Sequence, residues 1–494
     1  MREEDLSDLL DQANLTIKQI DLVILCNLHN MDSPDIPFTF GSNLKDTWFD
    51  FWVHGGNLNK VQIRNTILPC LLNPPHHLTH CSLVYLTSSF NSAVIFSWDP
   101  VGFGAYYAER NKLFPIELNL PFNASWNYTV VSENLFQTGL FGAGKVMGLA
   151  PYGATNPLVK NEDYLEFADI KNLFEQSDKN AIWVEEGETR LNAKLAYNVQ
   201  RLMEEQLVLI LDRLYEFCLE KKIEPNLCIS GGGALNSVAN QIAYKRSKFK
   251  NIFLHPACGD DGTAIGAALW YWHDKLGHPK QTFANSEIMY SIKNYDHKVA
   301  EILSMEVYKD KIKVINDHKY IETTAKLISQ GNIIGWYQGA SELGPRALGN
   351  RSILADPRNP EMKDILNSKV KFREKFRPFA PSVLNEYAFE WFGLEDSPFM
   401  LRVCNILKPG LPAITHIDNT ARIQTVTKTD NSTYYKLLQS FHAITQTPLL
   451  IDTSFNIKGE PIVETPEDAI NCFLNTDIDY LIFPGKIVEK VNRN

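Results

Sequence analysis

Short apolar runs alternating with longer amphipathic stretches constrain this chain more than any other feature. Ile20 to Cys26 and Ala93 to Trp98 read as buried strands, the second ending at Asp99. Apolar residues spaced for one face of a helix run from Leu191 to Lys221, and a shorter helix is expected over 5–16. Leu227 to Ser230 is a strand, Gly231-Gly232-Gly233 a loop, and helix-compatible residues follow. Ile252 to Leu254 and then Gly262 to Leu276 repeat the order strand, helix. Such alternation predicts an α/β fold.

The chain has 494 residues, too many for one ordinary domain, and its 44% apolar content can fill more than one core. After Leu276 the pattern weakens, and 277–298 reads as a linker. A second alternating segment follows, with a helix over Glu322 to Gln330 and a strand over Ile333 to Tyr337. The boundary is placed near residue 290, giving domains over 1–285 and 295–494.

Several classes are disfavoured by composition. No apolar run is long enough to cross a bilayer. The opening Met1-Arg-Glu-Glu-Asp is acidic, unlike a signal peptide. The eight cysteines are scattered without a C-x-x-C pair, which favours reduced thiols in the cytoplasm over a zinc knuckle or a disulfide framework. A net charge of −10 argues against a general nucleic-acid-binding surface.

Against that acidic background some segments carry chemistry. Pro75-His76-His77-Leu-Thr-His80 opens a helix, so His76 and His80 lie one turn apart and share a face. Two imidazoles so placed suit one metal ion, and a histidine-bearing surface or interdomain helix is the plain alternative. His77 points away, toward a substrate or a phosphate. Asp99 ends a strand, where α/β proteins place working groups. Gly259-Asp260-Asp261-Gly262 offers paired carboxylates to a divalent cation, or simply a turn and an N-cap. Ser230-Gly231-Gly232-Gly233-Ala-Leu-Asn236 presents backbone N–H groups to phosphate at the start of a helix. Gly344-Pro-Arg346-Ala-Leu-Gly-Asn-Arg351-Ser352 and Lys369-Val-Lys371-Phe-Arg373-Glu-Lys-Phe-Arg377-Pro-Phe-Ala-Pro381 interleave cations with prolines and aromatics. Fixed cations of that kind make an anion pocket. Thr420-Ala-Arg422 and Thr453-Ser-Phe-Asn456 say little alone.

Taken in order, these blocks resemble the O-carbamoyltransferases of the nodulation protein U and antibiotic-tailoring family, together with Gly144-Lys145-Val-Met-Gly-Leu-Ala-Pro-Tyr152-Gly153 and Thr453-Ser-Phe-Asn-Ile-Lys-Gly-Glu-Pro461. The resemblance spans residues 20 to 485. It implies a first domain of the actin, sugar-kinase and heat-shock-ATPase (ASKHA) type and a YrdC-like second domain with a twisted sheet. The second domain would make carbamoyl adenylate from carbamoyl phosphate and ATP. The first would pass the carbamoyl group to a hydroxyl of a small molecule or glycoside, in natural-product or nodulation-factor biosynthesis, and release AMP.

By resemblance His76, His80, Asp99 and Asp260 are metal ligands, for Fe2+ or a similar divalent ion. His77, Lys145, Arg346 and Lys371 are catalytic. Ser230, Gly231, Gly232, Gly233, Asn236, Arg346, Lys371, Arg377, Arg422 and Asn456 bind the nucleotide and carbamoyl phosphate, with Mg2+ accompanying ATP. The expected setting is cytoplasmic, with a homodimer left open and no membrane or nucleic-acid partner. The family's first strand, its His-Asp turn and a Glu-rich segment lie upstream of the helix that begins this chain, so the first domain is expected to be N-terminally incomplete. Asp452 stands where the family usually has Asn, placing a carboxyl beside the expected phosphate pocket. A tRNA threonylcarbamoylation-type enzyme and a truncated nucleotide-binding protein without transfer activity are the alternatives.

Overall fold

Asp99, Ser230 and Leu254 each close a strand, and the three strands lie side by side. The computed structural model describes residues 10, 13–25, 49–51, 60–63, 66–72, 74–120, 123–154, 182–186 and 189–491. Within them, Asn226–Ser230 pairs in parallel with both Ser92–Asp99 and Asn251–Leu254. Gly102–Glu109 and Lys112–Pro115 extend this five-stranded sheet antiparallel. Asn226–Ser230 is buried at every position, as an inner parallel strand covered on both faces should be. Because the three parallel strands run the same way, their carboxyl ends share one edge of the sheet, where α/β folds place ligands.

The helix Ala193–Lys221 covers this sheet. Its start is fixed by Asn192, whose side-chain oxygen accepts the Leu195 N–H at 3.1 Å, and it stops where Lys222 turns left-handed with φ 56°. The helix His76–Thr87 is buried at every residue from Thr79 to Thr87. It is therefore an internal helix without a solvent stripe. It crosses Thr263–Leu269 closely: a Cβ on Gly266 would lie 2.0 Å from the Thr79 carbonyl oxygen.

The second half is built on a nine-stranded mixed sheet, in the order Ile312–Asn316, Lys486–Lys490, Tyr480–Phe483, Ile334–Tyr337, Arg351–Ala355, Leu449–Ser454, Ala380–Leu384, Thr420–Val426, Arg402–Asn405. Two of its pairings are parallel, Ile334–Tyr337 with Tyr480–Phe483 and Ala380–Leu384 with Thr420–Val426. The fold is thus α/β with mixed sheets. The apolar core of the first half continues into the second through Leu348, Phe376, Ala380, Phe399, Met400 and Leu401.

Four expectations are corrected. The stretch 277–298 is not a plain linker: it holds the helix Asn285–Met289 and the strand Tyr290–Asn294, which pairs with Ala340–Glu342. Polar Asn285, Ser286 and Glu287 hide the buried pair Ile288 and Met289 that anchors it. The helix expected over 5–16 lies mostly outside the described residues; Leu10 is helical, and Asn14 with φ 52° has already left helical geometry. The run expected as one helix from Gly262 to Leu276 is α-helical over Thr263–Leu269 and widens to a π-helix over Trp270–Lys275. The expected strand from Ile20 is shorter, Val23–Leu25, with Cys26 outside the described residues.

Candidate active site

At the shared edge of the first sheet, a helix and two strand ends bring four side chains together. His76 and His80 come from the first turns of His76–Thr87, Asp99 from the end of its strand, and Asp260 from the turn after Asn251–Leu254. One ligand atom from each lies within 4.8 Å of all the others. His80 Nε2 is 3.1 Å from Asp99 Oδ2, 3.3 Å from Asp260 Oδ1 and 3.2 Å from His76 Nε2. His76 Nε2 is 3.2 Å from Asp99 Oδ2. Burial opposes the charged form of His80, but hydrogen bonds to Asp260 and Asp99 outweigh it and raise its pKa to about 9. Burial also opposes ionisation of Asp99, yet bonds from His76 and His80 hold it well below the usual carboxylate range. His80 lowers Asp260 likewise. Two imidazoles and two carboxylates converging on one point are the donor set of a borderline divalent cation, so the residues fit such an ion.

His77 turns to the neighbouring strand. Its Nδ1 is 3.1 Å from the Ser97 hydroxyl, and its ring lies against Gly102 and Gly104. Burial pushes its pKa down to about 4, so the ring is neutral at pH 7.

The glycine loop after Ser230 serves this same cluster. Gly232 N–H donates to Asp99 Oδ1, which fixes the carboxylate while leaving Oδ2 to the histidines. Gly231 has φ 83°, and a Cβ there would lie 2.4 Å from the Trp98 carbonyl oxygen. Asn236 caps the helix Ser237–Arg246, accepting the Ala239 N–H at 3.0 Å, and its amide donates to Gln200 at 2.9 Å. Ser230 is buried, with its hydroxyl 3.4 Å from the Cys258 carbonyl oxygen. The loop's drawn-in shape therefore has a packing cause, closure onto the Trp98–Asp99 strand end.

A second constellation lies where the two halves meet. Arg346, Arg373, Arg377 and Arg422 line two adjoining cavities. One is completed from the first half by Gly144, Met147, Gly148, Pro151, Ser237 and Val238. The other, of 140 Å³, reaches Asp452, Thr453 and Ser454 at the end of Leu449–Ser454. Burial lowers the pKa of Arg346 to about 10 and of Arg373 to about 9, and Arg422 is pulled down by burial and by the other three guanidiniums. The Nε atoms of Arg346, Arg373 and Arg422 are buried without a hydrogen-bond partner. Like charges concentrated in a desolvated space, with donors to spare, call for an anion.

Arg346 ties this cavity to the first half, donating to the Leu235 carbonyl oxygen at 3.2 Å. It also acts on Asp261, whose pKa is raised by burial and held back in part by Arg346 and His80. Asp261 thus feels both centres, the histidine cluster and the arginine cavity. The loop that presents Arg346 is organised by Glu342, whose Oε1 accepts the N–H groups of Leu348, Asn350 and Arg351 at 2.8–2.9 Å.

Some expected residues take other positions. Lys371 lines neither arginine cavity. It is buried, and its ammonium donates to the Ser454 carbonyl and, at 2.7–3.1 Å, to Ser454 Oγ, Asn456 O and Asn456 Oδ1. Asn456 is spent on this contact and on donating to the Glu460 carbonyl at 2.7 Å. Lys145 reaches across to Glu374 at 2.8 Å, and despite burial that bond helps hold Glu374 at a pKa of about 2. Sequence reading missed the roles of Glu342, Glu374 and His416, the last with Nε2 3.0 Å from the Gly148 carbonyl oxygen. Arg373 stood inside the basic run, but nothing in its spacing set it apart from Lys369 or Lys375.

Comparison with known proteins gives the following. A family profile described as Carbamoyltransferase N-terminus matches residues 35–269, and one described as Carbamoyltransferase C-terminus matches residues 325–490. An uncharacterised protein of Synechocystis sp. is 35% identical, covering 86% of this chain and 77% of that protein. Nodulation protein NolO of Bradyrhizobium diazoefficiens is 34% identical, covering 84% and 78%. The 3'-hydroxymethylcephem-O-carbamoyltransferase of Amycolatopsis lactamdurans is 29% identical, covering 66% and 61%. Bacillus thuringiensis ParM with ATP aligns at a TM-score of 0.22 and 10% identity over 44% of this chain and 60% of that chain, a likeness too remote to bear on the fold.

Proposed function

The chain belongs to the carbamoyltransferase family, and from that premise we propose that it transfers a carbamoyl group from carbamoyl phosphate, with ATP and through carbamoyl adenylate, to a hydroxyl of a small molecule or glycoside. Water would cleave the O–P bond of carbamoyl phosphate, releasing phosphate and leaving carbamate. The carbamate oxygen would attack the α-phosphorus of ATP and displace pyrophosphate. The acceptor hydroxyl would then attack the carbamoyl carbon and displace AMP. The observation that carries this reading is the cavity of four arginines between the halves. Two polyanions must meet for an adenylate to form, and fixed guanidiniums cancel their repulsion without reorganising. Arg346, Arg373, Arg377 and Arg422 would hold the phosphates. Lys371 would act through the Ser454–Asn456 turn that it braces, and Lys145 through its bond to Glu374.

The acceptor would be carbamoylated beside His76, His80, Asp99 and Asp260. These residues would hold Fe2+ or a similar divalent ion, which when bound polarises a carbonyl or a hydroxyl oxygen. His77, kept neutral by burial, would accept a proton from the acceptor hydroxyl. ATP would carry Mg2+. The names of the relatives support nodulation-factor and antibiotic-type acceptors. The same reading takes the first half as an ASKHA-type domain and the second as a YrdC-like one, in a cytoplasmic enzyme. No described helix is long and apolar enough to cross a membrane.

The test is exchange of labelled pyrophosphate into ATP, dependent on carbamoyl phosphate. Arg422→Ala should reduce it about a hundredfold or more, the scale of losing one preorganised charge stabiliser. His76→Ala should leave the exchange and abolish transfer to an acceptor. Exchange that ignores carbamoyl phosphate, or that His76→Ala removes as fully as Arg422→Ala, would overturn the assignment.

A further inference from the structure

Both ring nitrogens of His416 face acceptors. Nε2 lies 3.0 Å from the Gly148 carbonyl oxygen, and Nδ1 lies 3.3 Å from Asp418 Oδ1. A carbonyl oxygen can only accept, so Nε2 carries a hydrogen. Asp418 Oδ1 also accepts the N–H and the hydroxyl of Thr420, at 3.2 and 2.6 Å, as a carboxylate does. Burial opposes that charge, but bonds from His416 and Thr420 hold the Asp418 carboxyl below its ordinary range. Nδ1 therefore carries a hydrogen too, and the two bonds together require an imidazolium.

The Gly148 contact crosses from one half to the other, and both residues line the larger arginine-bearing cavity. Gly148 stands in the last turn of the helix Ala143–Leu149, where carbonyls run short of intrahelical donors and a cation is favoured. A Cβ on Gly148 would lie 3.4 Å from Arg377 Cγ, so this backbone rests on the stem of a cavity arginine. Whatever holds Gly148 also holds the first-half wall of Met147, Gly148 and Pro151 against the arginines.

We propose that His416 is a positioning residue: as an imidazolium braced by Asp418, it latches the first half's wall onto the cavity and so sets the affinity for ATP. This rests on the reading that these cavities take ATP. Loss of one proton leaves a single N–H for two acceptors. Either the Gly148 bond then breaks or a ring lone pair meets the Asp418 carboxylate. The latch is therefore made at low pH and weakens as pH rises. Around His416, Asp418 stands on its own loop. The first half presents Tyr152, edge-on at 5.8 Å between ring centroids, and Lys145, which is paired with Glu374. Arg346, Arg373, Arg377 and Arg422 line the same cavity, and Asp452 lies in the adjoining one. Arg373, at about 9, and Arg346, at about 10, keep their charge below about pH 8.

The experiment measures KM for ATP in the pyrophosphate exchange of the full chain between about pH 6 and pH 8, in the wild type, His416→Gln and His416→Ala. Gln keeps an N–H donor near the place of Nε2 and does not titrate. Titration of ATP, carbamoyl phosphate and Asp452 is common to all three proteins and cancels in their ratios. At the acid end His416→Gln should match the wild type, and His416→Ala should raise KM about tenfold with kcat little changed, the scale of one charge-assisted hydrogen bond. Toward the alkaline end the wild-type KM should climb relative to that of His416→Gln by a similar factor. Wild-type and His416→Gln profiles that run parallel, or a His416→Ala protein that loses kcat with KM unchanged, would overturn the inference and leave the cavity reading standing. A wild type without carbamoyl-phosphate-dependent exchange would overturn that reading, and the latch with it.

Discussion

His80 has the most at stake of any single residue, since its side chain is fully buried against two carboxylates. His80→Ala should empty the proposed ion site, measured as metal per chain by mass spectrometry after purification. Asp99→Asn should do nearly the same, because Asp99 is fixed by Gly232 and faces both imidazoles. Full metal content in either variant would show that the four residues do not share one ion. Asp452 makes a different kind of prediction. Burial raises its pKa from 3.8 to about 7, so the folded state keeps a proton that the unfolded chain has already lost. Wild-type stability relative to Asp452→Asn should therefore fall as pH rises from about 4 to about 7 and level off above that. Denaturant melts of both proteins across this range check it, and a wild-type stability that rises with pH relative to Asp452→Asn would contradict the assigned burial.

Between elements, the crossing of His76–Thr87 with Thr263–Leu269 sets the site's dimensions. Gly266→Val would drive a side chain into the Thr79 carbonyl, one residue from His80. Overpacking of this kind costs about 1–3 kcal/mol or more, and here it should also lower metal content, because the helix bearing both imidazoles must shift. A melting point unchanged by Gly266→Val would refute the close crossing. Much of this level was legible in the sequence: the 193–221 helix and the strands ending at Asp99 and Ser230 were readable from apolar spacing, whereas His76, His80, Asp99 and Asp260 were brought together only by the family resemblance, spacing alone leaving each with a plainer reading. Less legible was what gathers groups from distant segments. The Gly231–Gly233 loop reads as a phosphate cradle, yet Gly232 N–H is spent on Asp99, a contact across 133 positions. Lys371 reads as an open cation and is instead enclosed by the Ser454–Asn456 turn. Glu342 has no motif of its own, because three backbone N–H groups leave no trace in residue type.

On the scale of the whole molecule, the halves are tied by polar contacts as well as by core. Asn240 donates to the Leu401 carbonyl at 2.9 Å, Arg346 to that of Leu235 and Lys145 to Glu374, while His416 meets the Gly148 carbonyl. A ligand in the arginine cavity that Gly144 to Pro151 and Ser237 complete would touch both sides, so it should stabilise the chain as one unit. Pyrophosphate at a hundred times its Kd should add about 2.7 kcal/mol to unfolding, seen as a single upward-shifted transition in calorimetry. Two transitions of which only one moves would mean that the halves melt independently. The cavity's dual walls also limit how such a protein can be rearranged in evolution. The 140 Å³ cavity and all four arginines belong to the second half, and the first half closes only the adjoining cavity, so a gene split in the 277–284 loop would leave the cations on one product and the missing wall on the other. Only their reassembly would restore the closed site, with a ligand that spans both walls acting as the staple.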